Sequence, residues 1–136
     1  MITQTAKYAL QILGYLRSRG KDRVRADEIA RATGIPANYL SKILNQLRKA
    51  GIVDARKGWG GGFVLRREAL RRPITDVVEI FEGRGARAAE EECAFGLARC
   101  DEEAPCPLHP FWESIRETYG AMLRTTSIGD LTALRR

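Results

Sequence analysis

Residues 37–51 read ANYLSKILNQLRKAG, a pattern around which the rest of the predicted fold is arranged. Its large apolar residues recur at helical spacing and predict a helix over residues 37–50 with one buried face: Leu40, Ile43, Leu44 and Leu47. The opposite face has no carboxylate and carries Tyr39, Ser41, Lys42, Asn45, Gln46 and Lys49. Such cations, amides and hydroxyls contact phosphates and base edges in a DNA major groove. The face predicts DNA binding, with a plain solvated helix surface as the alternative.

Two helical segments are predicted upstream of this helix. Residues 5–16 place apolar side chains at helical spacing, and a shorter helix is expected over residues 26–33. Gly34 ends the shorter helix, and Pro36 prevents it from simply continuing into the next one. Two short helices joined by a tight glycine-containing turn, with the second polar and basic on its outer face, are typical of a helix-turn-helix.

A glycine-rich segment follows, flanked by two candidate strands at residues 52–56 and 63–66. The intervening sequence KGWGGG lacks the GxxxxGK[ST] pattern of a phosphate-binding loop, and no helix opens directly after it. We therefore predict a wing, a β-tip that lies on the DNA backbone and contacts it through Arg56, Lys57 and Trp59. Trp59 has two readings, since it either stacks on sugar or base or packs back on its own domain.

Charge divides the 136-residue chain into two regions. Residues 1–72 hold 16 Lys and Arg against 5 Asp and Glu, a balance of +11, whereas residues 73–136 hold 7 against 12, a balance of −5. The basic region predicts a polyanion partner. We assign residues 1–72 to a winged helix-turn-helix, and residues 73–136 to a cysteine loop and dimerisation helix that form one compact domain with it. The chain is too short for a barrel enzyme.

The same composition bears on where the protein works. No apolar run reaches the roughly 18 residues that a membrane span needs, so no membrane partner is expected. The N-terminus does not resemble a secretory signal, which predicts a cytoplasmic protein. Three cysteines in a reducing compartment disfavour a disulfide framework.

The three cysteines and the single histidine lie close together in the chain, at Cys93, Cys100, Cys106 and His109. Buried, inert cysteines are the alternative. The surrounding carboxylates and prolines are not typical of a protein core, so these residues form a candidate four-ligand metal site. Zinc accepts such ligands, but its usual sites contain a tight C-x₂₋₄-C pair that is missing here. The wider spacing favours an iron–sulfur cluster and leaves zinc open. The absence of CxxC and of a Ser/His/Asp set disfavours a thiol redox protein or any enzyme.

A helix is predicted over residues 73–83 and a second from Leu108 onward. Apolar residues of the second helix step by four and three positions, a heptad-like seam formed by Leu108, Trp112, Ile115, Tyr119 and Met122. A single small domain offers little surface to cover so broad a stripe, which includes the flanking Phe111 and Leu123. The seam therefore predicts a homodimer.

These motifs together resemble the winged-helix regulators typified by IscR and NsrR, over nearly the whole chain. The segments that carry the resemblance are Glu28-Ile29-Ala30, Gly34-Ile35-Pro36, residues 39–51, residues 58–63, residues 74–78 and Cys106-Pro107-Leu108-His109. The resemblance implies a dimeric transcription regulator, most simply a repressor, with a mainly α fold, a small β-hairpin wing and an iron–sulfur cluster near the dimer helix. The implied DNA partner is a double-stranded operator.

The resemblance also implies a cluster type. In IscR-like members a histidine three positions after the last cysteine completes a [2Fe–2S] site, and His109 occupies that position. In some NsrR-like members an acidic residue near the N-terminus ligates a [4Fe–4S] cluster, whereas Tyr8 stands here. Three departures are Ser41 where IscR has glutamate, Lys57 where arginine is usual, and a first cysteine gap one residue longer. The alternative is a cluster-free or zinc-stabilised regulator that senses a metabolite or a partner protein.

Overall fold

Helices make up most of the described chain. The computed structural model describes residues 2–83, 93–94 and 101–135. Its helices are α1 (Gln4–Arg19), α2 (Ala26–Thr33), α3 (Ala37–Lys49), α4 (Ile74–Glu82) and α5 (His109–Thr125), and its strands are β1 (Val53–Arg56) and β2 (Gly62–Leu65). Two 3₁₀ turns span Arg67–Arg71 and Ile128–Asp130. The predicted mainly helical fold with a small β-hairpin is confirmed.

The apolar stripe of α3 is buried against α1 and α2, in one core that excludes water. The fully buried residues of this core include Ile12, Leu13, Leu16, Ile29, Leu40, Ile43, Leu44 and Leu47. Between α2 and α3, Gly34 adopts a left-handed conformation with φ 70°, and its N–H donates to the Ala30 carbonyl at 2.8 Å. Since this conformation disfavours side chains with a Cβ, glycine at this position allows the sharp helix-turn-helix bend.

The hairpin is antiparallel, with Val53 paired to Leu65 and Arg56 to Gly62. A third segment joins it, because Val24, in the loop between α1 and α2, forms a bridge with Phe63. The two backbone bonds of this bridge measure 2.8 Å and 2.7 Å. The wing is thus fixed to the loop that precedes α2 as well as to its own strands.

Elements of the acidic region pack on the basic one. Helix α4 lies against α1, and the buried Val77 of α4 belongs to the same core as the helix-turn-helix. Helix α5 packs on α4 through a small cluster of Ile74, Val78 and Leu123, and the Ile74 N–H donates to the Thr126 carbonyl at 2.9 Å. These contacts link the two regions into one packed unit.

The segment after α5 returns to α1. Ser127 and Asp130 form a capping box, in which hydrogen bonds from Ser127 lower the pKa of the Asp130 carboxyl. Arg17 then donates from Nε to the Gly129 carbonyl at 3.0 Å, and Thr132 crosses α1 at Gly14. The crossing requires glycine, since a Cβ at position 14 would lie 2.3 Å from the Thr132 carbonyl oxygen. Among the described helices, none combines the length and hydrophobicity of a membrane span.

We expect Gly14→Ala to lower the free energy of unfolding by about 1–3 kcal/mol, because the added methyl meets backbone that cannot rotate away. Gly120→Ala is the matched control, since the nearest neighbour of its Cβ would be the guanidinium end of Arg124, an exposed side chain that can move. This control should be neutral or gain up to ~1 kcal/mol from helix propensity. Urea unfolding of both variants measures the difference. Equal stability of the two variants would contradict the tight crossing.

Candidate nucleic-acid interface

The polar face of α3 is exposed over its whole length. The six side chains predicted to contact DNA all lie at the surface: Tyr39, Ser41, Lys42, Asn45, Gln46 and Lys49. Tyr39 is 51% exposed, and its ring is tilted against that of Tyr8 with centroids 6.5 Å apart. Because the four large residues of the opposite face are buried, the orientation of this polar face relative to the core is fixed.

Several cations away from this surface pair with carboxylates, whereas the described cations of α3 and the hairpin tip do not. Away from it, Arg19 pairs with Glu28, Arg23 with Asp54 at 2.5 Å, and Arg72 with Asp76 at 2.9 Å. Five cations lie on α3 and the hairpin: Lys42, Arg48, Lys49, Arg56 and Lys57. Within the described ranges, no carboxylate lies within ion-pair distance of any of them. Unpaired cations concentrated on α3 and the wing produce the positive surface that a polyanion binds.

A groove of about 750 Å³ separates α3 from the hairpin. Ser41, Asn45 and Arg48 line its α3 side, while Arg56 and Lys57 line the hairpin side. Arg48 was not among the residues predicted to contact DNA. The absence of any Asp or Glu between Ser41 and Arg48 could have pointed to it. Its Nη2 donates to Asn45 Oδ1 at 2.9 Å.

The base of the wing is held by Arg23, which donates to Asp54 Oδ2 and to the Gly62 carbonyl at 3.3 Å. The hydrogen bond from Arg23 lowers the pKa of the Asp54 carboxyl, and nearby positive charge acts in the same direction. Gly62 approaches the neighbouring backbone closely, since a Cβ there would lie 2.7 Å from the Val24 carbonyl oxygen. The strands are thereby held in place, and the tip between them projects.

Trp59 lies at that tip and is fully exposed, with a relative accessibility of 106%. The alternative in which this indole packs back on its own domain is therefore wrong. Arg56 and Lys57 are exposed beside it. An indole that contacts no core residue has its whole apolar surface available to a partner.

Of the four candidate metal ligands, Cys106 and His109 lie in one turn at the start of α5. The His109 N–H donates to the Cys106 carbonyl at 3.0 Å, and its Nε2 lies 3.9 Å from Glu113 Oε2. Cys93 is buried, and Cys100 lies outside the described residues. Thiol and imidazole are donors that both iron and zinc accept. In the described part of the chain, no three such donors are gathered closely enough to hold a metal.

The predicted dimer seam on α5 divides into two sets. Leu108, Ile115 and Met122 are between 41% and 46% exposed, and the flanking Phe111 is 72% exposed. Trp112 and Tyr119 are half-buried, and Tyr119 packs against the cluster beneath α5. The flanking Leu123 is buried in that cluster. The exposed apolar stripe of α5 therefore consists of Leu108, Phe111, Ile115 and Met122.

The helix-turn-helix, its basic exposed face and the anchored wing define a winged-helix DNA-binding protein. A family model described as Rrf2, iron-dependent transcriptional regulator, matches residues 2–134. The chain belongs to the Rrf2 family and is a transcription regulator, not an enzyme. The resemblance identified from the sequence motifs is confirmed.

Individual relatives agree with this family. The chain is 34% identical over 133 residues to a predicted HTH-type transcriptional regulator of Aquifex aeolicus, covering 96% of this chain and 90% of that one. It is 26% identical to the HTH-type transcriptional regulator IscR of Vibrio atlanticus, covering 96% and 73%. The solved structure of CymR, the global cysteine regulator of B. subtilis, superposes with a TM-score of 0.74 at 23% identity, covering 96% and 95%.

We expect Trp59→Ala to leave the melting temperature unchanged, because the indole contacts no core residue. Its affinity for operator DNA should fall by about tenfold, since a stacking contact contributes roughly 1–3 kcal/mol. Fluorescence anisotropy with a labelled duplex measures the affinity. Leu134→Ala, which truncates an exposed apolar side chain in the C-terminal segment, is the control and should bind as the native protein does. Unchanged affinity of Trp59→Ala would rule out a DNA contact.

Proposed function

We propose that this chain acts in the cytoplasm as a homodimeric transcription repressor whose operator binding responds to an iron–sulfur cluster. The proposed ligands are Cys93, Cys100, Cys106 and His109. The observation that carries the proposal is the hydrogen-bonded turn that joins Cys106 to His109, the first residue of α5, the helix that also presents an exposed apolar stripe. Sensing and pairing would then share one helix.

The ligand set favours a [2Fe–2S] cluster over a [4Fe–4S] cluster. Mixed thiolate and imidazole ligation is a known arrangement for two-iron clusters. NsrR-like proteins have an acidic ligand where this chain has Tyr8, and a tyrosine offers no carboxylate. Its ring is half-buried and packs against the core. The family description and the IscR relative support an iron-linked role. Zinc remains the alternative metal for the same four residues.

When bound, the cluster would supply a centre whose integrity changes with iron, oxidants or nitric oxide. The chain's own residues supply the path from α5 to the DNA. Helix α5 contacts α4 through Leu123 with Ile74 and Val78, and Val77 of α4 enters the core that holds the stripe of α3. A shift of α5 against the α5 helix of the second copy would therefore move the α3 helices of both copies. Such a response corresponds to a population shift between two arrangements of the dimer.

The exposed apolar stripe of α5 supports a second copy of this chain as its occupant. Leu108 and Ile115 are seven residues apart, as are Ile115 and Met122, while Phe111 lies between the first two. This heptad spacing is that of helices paired along their length. The resulting two-fold symmetry would place the two α3 helices in successive major grooves about 34 Å apart.

We expect Phe111→Glu combined with Ile115→Glu to convert the dimer to a monomer, because two buried carboxylates on each helix would face an apolar surface. Sedimentation equilibrium measures the mass. Ser114→Glu, which adds the same charge to an exposed position of α5 outside the stripe, should remain dimeric. A native protein that is monomeric at micromolar concentration would overturn this interface.

Anaerobic purification tests the cofactor. We expect visible absorption together with about two iron and two sulfide per chain, and loss of both in Cys106→Ala. Operator binding should change when the cluster is removed from the native protein and should not respond in Cys106→Ala. A colourless protein with stoichiometric zinc, or iron content unaffected by Cys106→Ala, would overturn the cluster assignment.

A second candidate is a cluster-free regulator that senses a metabolite or a partner protein. One observation favours it: CymR, which shares this fold, is named for cysteine regulation. Cys100→Ala distinguishes the two candidates. Unchanged operator binding and unchanged regulation in Cys100→Ala would support the cluster-free form, whereas loss of the response would support the cluster.

A further inference from the structure

The hydrogen bond between Asn45 and Arg48 assigns these residues a role that the sequence pattern alone did not. We infer that Arg48 binds a phosphate of the DNA strand that enters the groove between α3 and the hairpin, and that Asn45 positions Arg48 rather than reading a base. The inference rests on the proposed contact of α3 with duplex DNA and specifies how one part of that contact works.

The orientation of Asn45 follows from its partner. Arg48 Nη2 lies 2.9 Å from Asn45 Oδ1, and a guanidinium has donors only, so the amide must present its oxygen to Arg48. Arg48 lies one turn beyond Asn45 towards the C-terminal end of α3. The amide oxygen is therefore directed along the helix. Both side chains are exposed, so no core contact competes with this arrangement.

The groove beside this pair has the chemistry of a site for a sugar–phosphate strand. Its lining includes the half-buried apolar Ala55 and Phe63, which suit the carbon skeleton of deoxyribose. Arg48 contributes positive charge from α3, and Arg56 and Lys57 contribute it from the hairpin. No carboxylate is among the described residues that line this groove. A phosphodiester would find cations on both sides, without a competing anion.

The same geometry limits what Asn45 can do at a base. Bidentate recognition of adenine needs both the carbonyl oxygen and the amide nitrogen of asparagine. Here the oxygen is engaged by Arg48, whose guanidinium gains a fixed direction from the bond and presents its remaining donors to solvent. Base reading is left to the other polar side chains of α3, with Asn45 acting through Arg48.

The experiment starts from duplexes that the native protein selects out of a random library. Affinities of native protein, Asn45→Ala, Arg48→Ala, Arg48→Lys and the double alanine variant are measured against salt and against a panel of single-base-pair variants. We expect Arg48→Ala to lower affinity about 5- to 20-fold on every duplex and to reduce the log–log salt slope by about 0.9, since one phosphate contact is lost. Arg48→Lys should keep the slope, because it keeps the charge.

Asn45→Ala separates positioning from base reading. We expect it to lower affinity less than Arg48→Ala, with the base preference unchanged at every position. Since Asn45 acts through Arg48, the double variant should bind like Arg48→Ala alone. Lys7→Ala, an exposed cation of α1 outside the groove, is the charge control and should keep the native slope.

Two results would overturn the inference. One is a changed preference at a single base pair in Asn45→Ala, which would make Asn45 a base-reading residue. The other is an unchanged salt slope in Arg48→Ala. Losses that add in the double variant would contradict the part of the inference in which Asn45 acts through Arg48. Failure of the native protein to select any duplex would instead contradict the proposed operator binding. These outcomes are therefore distinguishable from one another.

Discussion

Burial of one face of α3 in the core fixes the orientation of the polar surface on its opposite face. Leu40, Ile43, Leu44 and Leu47 are each at most 2% exposed. Burying such a side chain contributes about 1.5–3 kcal/mol, so rotating the helix to expose the stripe would cost several times that amount. Because this face must point inward, the polar and basic face must point outward. The surface that contacts DNA is therefore oriented by the core beneath it.

The pairing of cations with carboxylates differs between the DNA-binding surface and some other parts of the molecule. Some arginines away from α3 and the wing pair with carboxylates: Arg19 lies beside Glu28, where the hydrogen bond and positive charge lower the pKa of that carboxyl. On α3 and the wing, the described cations have no such neighbour. A cation without a local partner keeps its full interaction for an incoming phosphate. The net charge of +6 understates the basicity of residues 1–72, whose balance is +11, because residues 73–136 contribute −5.

The helices and the hairpin could be predicted from local patterns because each follows from spacing that the chain itself displays. The predicted helix over residues 37–50 ends one residue earlier in the structure, and the predicted strands shift by about one residue. Heptad spacing did not predict how exposed the α5 residues are. Trp112 and Tyr119, which the spacing assigns to the partner-facing seam, are half-buried, with Tyr119 packed on the cluster beneath α5, whereas the flanking Phe111 is 72% exposed. The seam itself stays a prediction.

Residue spacing and composition are local properties, and they were enough to predict the helix-turn-helix, the wing, the polar face of α3 and the grouping of three cysteines with one histidine. Three-dimensional packing was needed to establish that Trp59 points into solvent, that Val24 anchors the wing, and that the segment after α5 crosses α1 at Gly14. It also decided that Asn45 faces Arg48. Such relations depend on how elements distant in sequence pack together, or on a choice among side-chain rotamers, and neither leaves a periodic signal in the chain.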